Sequence, residues 1–507
     1  MTHIKKFLRP ICIALTLFFA AGCDSSVQEE YSLAEEGMQP DVYSPLYEPY
    51  SEPDQTTPDS SDNTPIIIET FVSDMRCFTP MYDEQIEHDI PICLILAAQL
   101  FAELCELFAQ DNGYLWGKHL HIPFIFLYPN TRDIVANQPD SLGILTRIGN
   151  VYVGTLPDQF PAIYSFPRIG DRQWAMRPWD FTIYSDEFSD HRMRGMVHMS
   201  FHVQQPLLFG FGSDSNNDHM NEKANRISIQ LEINALLQAL QSTSEERTNA
   251  IHHALAIRAE RRQNMTPTRV RSENVFEFHE GIANYTDGII SGTSMEQILY
   301  SLEWDARSIR YNQSMAGIFG YRTGEMYGHL LDTTGVNWRD GISYGVDLGQ
   351  LLKEALAITE LPPFNEIDLT LYGYEDILVF ETERVISHER MLEDIRASFI
   401  YETTLRIPSG FESGSMQLDP SRIHNIPGLG SVYGATVVVS GTFGSLRLYE
   451  GFFARYFDTR TSTFAGTVIA TGIQKDGNVI TAPGWVLQLN DGYGVRLEEG
   501  HYVLYRH

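Results

Sequence analysis

Two histidines four residues apart, His198 and His202, sit inside the stretch Arg194-Gly195-Met196-Val197-His198-Met199-Ser200-Phe201-His202-Val203-Gln204-Gln205-Pro206. On a helix this spacing sends both imidazoles out of one face, within reach of a single ion. It is the spacing of H-E-x-x-H, in which the paired histidines bind zinc and the glutamate after the first is the general base. Here that glutamate position holds Met199. The ligand pair is intact and the base is missing. The plain alternative is a chance pair on an amphipathic helix, since the chain carries 16 histidines.

Further acids lie downstream. Ile227 to Leu240 reads as a strongly apolar helix with one acid, Glu232, which needs either an arginine or a metal ion as its partner. Thr248 to Arg262 is a further helix, and its basic end, Arg258-Ala259-Glu260-Arg261-Arg262, reads as a solvated face. Then comes Phe276-Glu277-Phe278-His279-Glu280-Gly281-Ile282-Ala283-Asn284-Tyr285-Thr286.

A helix carrying Glu-Gly-Ile-Ala-Asn-Tyr downstream of a histidine helix resembles the glutamate helix of gluzincin metallopeptidases. The resemblance implies that His198, His202 and Glu280 form a zinc site, with small residues after Glu280 letting the helices approach. The gap between His202 and Glu280 is long for that family, which keeps Glu232 as an alternative ligand. Phe319-Gly320-Tyr321-Arg322-Thr323-Gly324 opens another helix. Tyr321 there resembles the gluzincin tyrosine that steadies a tetrahedral oxyanion, the alternative being a buried aromatic. The stretch from about His121 to Asp332 also resembles uncharacterised bacterial proteins with an intact H-E-x-x-H. Shared segments include Thr131 to Asn137 and Tyr152 to Pro157. Against that pattern Met199, Asn216 and Asn221 are departures, as in a decayed active site.

The N-terminus reads as a targeting segment. Lys5, Lys6 and Arg9 precede an apolar stretch, Ile11 to Ala21, too short to span a bilayer stably. It ends Ala20-Ala21-Gly22-Cys23, which resembles a bacterial lipobox with Cys23 as the lipidated residue; an ordinary secretory signal is the alternative. Asp24 resembles an inner-membrane retention signal. Residues 24–66 are acidic and rich in Ser and Pro, with no apolar period, and read as a disordered tether. These features place the protein in the cell envelope, anchored to the membrane through Cys23. Of the remaining cysteines outside the leader, Cys77, Cys93 and Cys105, one disulfide and one buried thiol are expected, and Cys93 with Cys105 is disfavoured because both lie on one apolar helix, Ile92 to Ala109.

The fold class expected is α+β: residues 67–404 as a mainly helical, zincin-like domain with a small N-terminal sheet, and residues 405–507 as a small antiparallel β domain, barrel or sandwich. The sheet is read from His121 to Tyr128 and Val151 to Thr155. Lys118-His119-Leu120-His121 places two histidines on one strand face, more simply a solvated edge than a metal pair. In the C-terminal part, Lys475-Asp-Gly-Asn478 and Asn490-Asp-Gly492 read as tight hairpins. A formal charge of −30 argues against nucleic acid as a partner. There is no G-x-S-x-G elbow, Walker loop or Rossmann fingerprint. Three readings follow: a zinc-binding pseudo-peptidase that holds peptide or an envelope protein; a peptidase with a relocated base, Glu232 being the carboxylate to watch; and a structural envelope protein without metal.

Overall fold

The computed structural model describes residues 91–180, 183, 189–210, 216–409, 416–418, 422–458 and 463–507. Cys23, Asp24, the acidic stretch to residue 66 and Cys77 lie outside the described residues. The described chain is mixed helix and sheet.

Helix α1 (Leu94–Asp111) buries Ala97, Leu100, Phe101, Leu104 and Phe108, the three- and four-residue spacing of an amphipathic helix, and ends at Asn112 in the left-handed conformation. Cys105 on this helix is disulfide-bonded to a partner outside the described residues, and Cys93 is the free thiol; it is exposed, not buried as expected, because it precedes the first turn of the helix. A five-stranded sheet follows, built from β1 (Phe124–Tyr128), β2 (Asp133–Ala136), β3 (Thr146–Ile148) and β4 (Val151–Thr155). A two-residue hairpin, β5 (Arg168–Ile169) and β6 (Arg172–Gln173), precedes its last strand, β7 (Ala175–Pro178). The order is β3-β4-β2-β1-β7, with β7 parallel to β1 at one edge. Phe124 and Phe126 of β1 enter the main core, while Ile125 and Leu127 enter a second core on the opposite face. Burial on both faces explains why this strand reads as a continuous apolar run. The strand begins at Phe124, so His119 and His121 precede it and do not share a strand face, contrary to the reading of Lys118 to His121.

Helix α2 (Ser189–Phe209) carries the histidine pair. Pro206 does not end it, and the helix runs one turn further. Proline removes only one ladder bond there, and the Gly210 amide closes the final turn on the Pro206 carbonyl (3.1 Å). Helices α3 (Lys223–Gln241) and α4 (Ser244–Arg262) pack as a pair. Next, α5 (Pro267–Phe276) starts with Pro267 behind a Thr266 cap. It passes through a π turn, Glu277–Gly281, into α6 (Ile282–Ile290). Then come α7 (Met295–Ser308), opened by a Ser294/Gln297 capping box, and α8 (Phe319–Asp332).

The basic end of α4 is not a solvated face. Arg258 and Arg261 are buried. Arg258 bonds Glu232, Glu277 and Asp347, while Arg261 bonds Glu232 and Glu273. Arg262 joins Glu273 to Asp347. The error has a physical cause: a run of charges is cheap in water, but here acids on three other segments converge on it and offset the desolvation.

Helices α9 (Leu348–Ala355) and α10 (Tyr374–Tyr401) complete the helical part, and the first C-terminal strand starts at Thr404. The C-terminal strands form a seven-stranded and a six-stranded sheet that bury one shared core, with Leu405, Phe453 and Leu504 from one sheet against Leu446, Trp485 and Leu487 from the other. This is a sandwich. Gly477-Asn478 forms the expected two-residue hairpin, since Asp476 pairs with Val479. Asn490 to Gly492 instead carries the chain from the six-stranded sheet to the seven-stranded one. Among the described residues no helix is long and apolar enough to cross a membrane.

Candidate metal centre

His198, His202, Gln205 and Arg194 form one stripe along α2, at the offsets that share a helix face. Facing it is the π turn and the start of α6, with Glu280 and Asp287 seven residues apart. The ladder of a π turn holds one residue more per turn, a device found mostly where a side chain must be re-aimed. Behind the turn lies α8, whose Gly320 and Gly324 meet it backbone to backbone. A Cβ on Gly281 would lie 2.4 Å from the Gly320 carbonyl oxygen and from the Gly324 Cα. Gly281, the residue after Glu280, therefore admits α8.

Three donor atoms converge. The Nε2 atoms of His198 and His202 are 2.9 Å apart, and Glu280 Oε2 lies 3.5 and 3.2 Å from them. Each imidazole is fixed from behind. His198 Nδ1 faces Asp287 Oδ2 (3.3 Å), and Asp287 Oδ1 in turn accepts from Arg194 Nε (2.6 Å). His202 Nδ1 faces Gln205 Oε1 (2.8 Å). A carboxylate only accepts, so His198 carries its proton on Nδ1 and aims Nε2 inward. Arg194 is itself held by Glu325 (2.9 Å).

Two bare imidazole nitrogens 2.9 Å apart repel unless an electrophile, a proton or a metal ion, sits with them. Burial opposes charge on His198, but the hydrogen bonds and charges of Asp287 and Glu280 outweigh it and raise the imidazole to about 9. Burial likewise works against the Glu280 carboxylate, yet the His202 and His198 rings hold it well below the usual range. Glu280 Oε2 is buried, and its nearest polar neighbours are the two inward imidazole nitrogens. A tetrahedral zinc with ligand bonds of about 2.0–2.1 Å keeps its donors roughly 3.3–3.5 Å apart. The carboxylate separations match that spacing and the histidine pair is somewhat tighter. Once the shared proton leaves, a buried carboxylate oxygen and two inward imidazole nitrogens with hydrogen-bonded outer nitrogens are a donor set that fits zinc.

The centre is enclosed. The side chains of His198 and His202 are each 4% exposed and that of Glu280 is 14%. The Phe166 ring stands edge-on to His202 (5.6 Å), the His279 ring lies 4.4 Å from it, and Tyr321 stacks parallel to His198 at 6.2 Å. Burial, with the His202 ring beside it, pushes His279 down to about 3, so it is neutral at physiological pH.

Of the residues read from sequence, the fold thus brings His198, His202, Glu280 and Tyr321 together. Glu232 is elsewhere engaged: its carboxylate takes Arg258 (3.0 Å), Arg261 (2.7 Å) and the Tyr327 hydroxyl (2.8 Å). It is neither a ligand nor a free base, and of its two possible partners arginine is the one found. Met199 is 2% exposed and belongs to the main hydrophobic core. Asn221 accepts the Met315 amide ahead of α8, and Asn216 bonds Asp218; neither takes part in the three-donor cluster. Asp287, Gln205, Arg194 and His279 were missed. The Arg-x3-His-x3-His-x2-Gln stripe and the seven-residue step from Glu280 to Asp287 were the signals available.

No family model matches the chain, and no curated protein or solved structure is significantly similar to it.

Proposed function

We propose that the protein is a lipid-anchored component of a bacterial envelope whose helical part is a gluzincin-like domain. It holds zinc on His198, His202 and Glu280, binds a peptide or an envelope protein, and hydrolyses poorly. The convergence of three donors, two of them imidazoles aimed inward by their outer partners, is the observation that carries this reading. Zinc at such a site polarises a carbonyl and acidifies water. Asp287 and Gln205 orient the two imidazoles, the π turn presents Glu280, and Phe166 and Tyr321 limit access of solvent. Among the described residues no carboxylate is free to remove the proton: Met199 is apolar, and Asp287, Glu325 and Glu232 are each bound to arginine. A positioned general base contributes roughly 10²–10⁴-fold, about 3–5 kcal/mol of barrier. The relocated-base reading loses its carboxylate, Glu232, to the arginine cluster. The envelope location and lipid anchor rest on Ala20 to Cys23.

Met199→Glu tests the reading. The zinc-loaded variant should cleave members of a broad peptide library at rates at least a hundredfold above the parent. A variant that holds zinc and cleaves nothing would remove the decayed-peptidase explanation.

A further inference from the structure

One side chain touches both halves of the centre. Gln205 is fully buried on α2, three residues after His202. Its Nε2 donates to the His279 carbonyl (2.8 Å), with the Phe278 carbonyl at 3.5 Å, while its Oε1 faces His202 Nδ1 (2.8 Å). A backbone carbonyl can only accept, so the nitrogen end of the amide must face the π turn. The oxygen end then has to face His202, and Nδ1 must be the nitrogen that carries hydrogen. The His202 tautomer is thus dictated by a carbonyl on the opposite segment. That carbonyl belongs to the residue immediately before Glu280. A π turn interrupts the regular ladder, and its buried carbonyls need partners from outside; Gln205 supplies one.

We infer that Gln205 is the positioning residue that couples the two ligand-bearing segments. It holds His202 with Nε2 inward and ties the π turn at the place where Glu280 meets it. The opposite end of the stripe has an ionic counterpart, Arg194 on Asp287, so the histidine helix grips the glutamate segment at both ends. The inference goes beyond the proposed zinc site and its first half stands without metal.

The full chain, labelled with ¹⁵N-histidine, is compared as wild type, Gln205→Leu and Gln205→Glu. In the metal-free protein, ¹⁵N chemical shifts and long-range ¹H–¹⁵N couplings should show His202 as the Nδ1–H tautomer in wild type and a mixture of forms in Gln205→Leu. With zinc alone as the probe, Gln205→Leu should lose about 10–100-fold in affinity, and with cobalt(II) its visible bands should shift as the geometry changes. Gln205→Glu keeps the acceptor and loses the donor, so it should retain the tautomer while losing affinity. An unchanged His202 tautomer in Gln205→Leu, together with wild-type zinc affinity and cobalt bands, would overturn the inference. Should Gln205→Leu not fold, wild-type affinity and bands in Gln205→Glu overturn it alone. A wild-type protein with the Nδ1–H tautomer that takes up no zinc would instead sink the zinc reading and leave the role of Gln205 toward His202 standing.

Discussion

Glu273 shows how far single residues in this molecule depend on their neighbours. Its side chain is wholly buried, and it accepts from Arg261 (2.5 Å), Arg262 (2.8 Å) and His219 (2.9 Å). Burial raises a carboxyl, but the Arg261 and Arg262 charges and the His219 bond outweigh it and hold Glu273 well below the ordinary range. Asp347 is held low against burial by Arg258 and Arg262 in the same way. A carboxyl depressed in the folded state adds stability above its unfolded pKa, about 4.3 for Glu, and that stability is lost as pH falls toward the folded value. Glu273→Gln should therefore cost up to about 3–5 kcal/mol at pH 7, because buried Arg261 and Arg262 each lose one of their two carboxylates and keep only Glu232 and Asp347. It should also flatten the acid limb below about pH 4, as read by urea unfolding at several pH values. Equal stability of the two proteins at pH 7 would contradict the ledger of partners. At this scale the sequence was partly legible. A spacing of four marks His198 and His202, and an acid before a glycine marks Glu280. Arg258 and Arg261 were misread because a charge run looks the same whether acids from distant segments meet it or water does.

Elements carry the geometry of the centre more than any one side chain does. Helix α8 presents a glycine at every fourth position, Gly320 and Gly324 to the π turn and Gly328 to Tyr285 of α6. A Cβ on Gly324 would lie 2.2 Å from the Glu277 carbonyl oxygen and 2.7 Å from the Gly281 Cα. Both obstacles are backbone and cannot swing aside. Gly324→Ala should push α8 away from the turn, cost about 1–3 kcal/mol or more and weaken metal uptake. Gly317→Ala, with nothing within 4 Å, is the control that should do neither. Thermal melts of the two variants decide it, and equal melting temperatures would show that the close approach is not a constraint. The helix bearing Glu232 was legible from its apolar run and the one bearing Glu280 through its resemblance to the gluzincin glutamate helix, and α8 opens at Phe319 as read. The π turn was not, because a ladder with one extra residue leaves the same apolar spacing to within a residue. Nor was the last turn of α2, since proline forbids one bond and not the turn that follows.

The whole molecule joins a helical body, with its small sheet, to a sandwich that has its own core. The far end of α10 bridges them: Ile395 and Phe399 pack with Ile426, Val432 and Ala454 of the sandwich. The change of texture near residue 405 was visible in the recurrence of glycine and β-branched runs. The assignment of strands to two sheets was not, because Asn490-Asp-Gly492 makes the same local turn whether it returns to its own sheet or crosses to the other. All of this scaffolding bears on one claim, that the centre holds zinc. The direct measurement is the zinc content of the purified full chain beside His198→Ala/His202→Ala, after reconstitution and removal of loosely held metal. One zinc per chain in the parent and none in the double variant is the result expected. An equal, substoichiometric content in both would mean that these donors hold no ion, and that the two imidazoles share a proton instead.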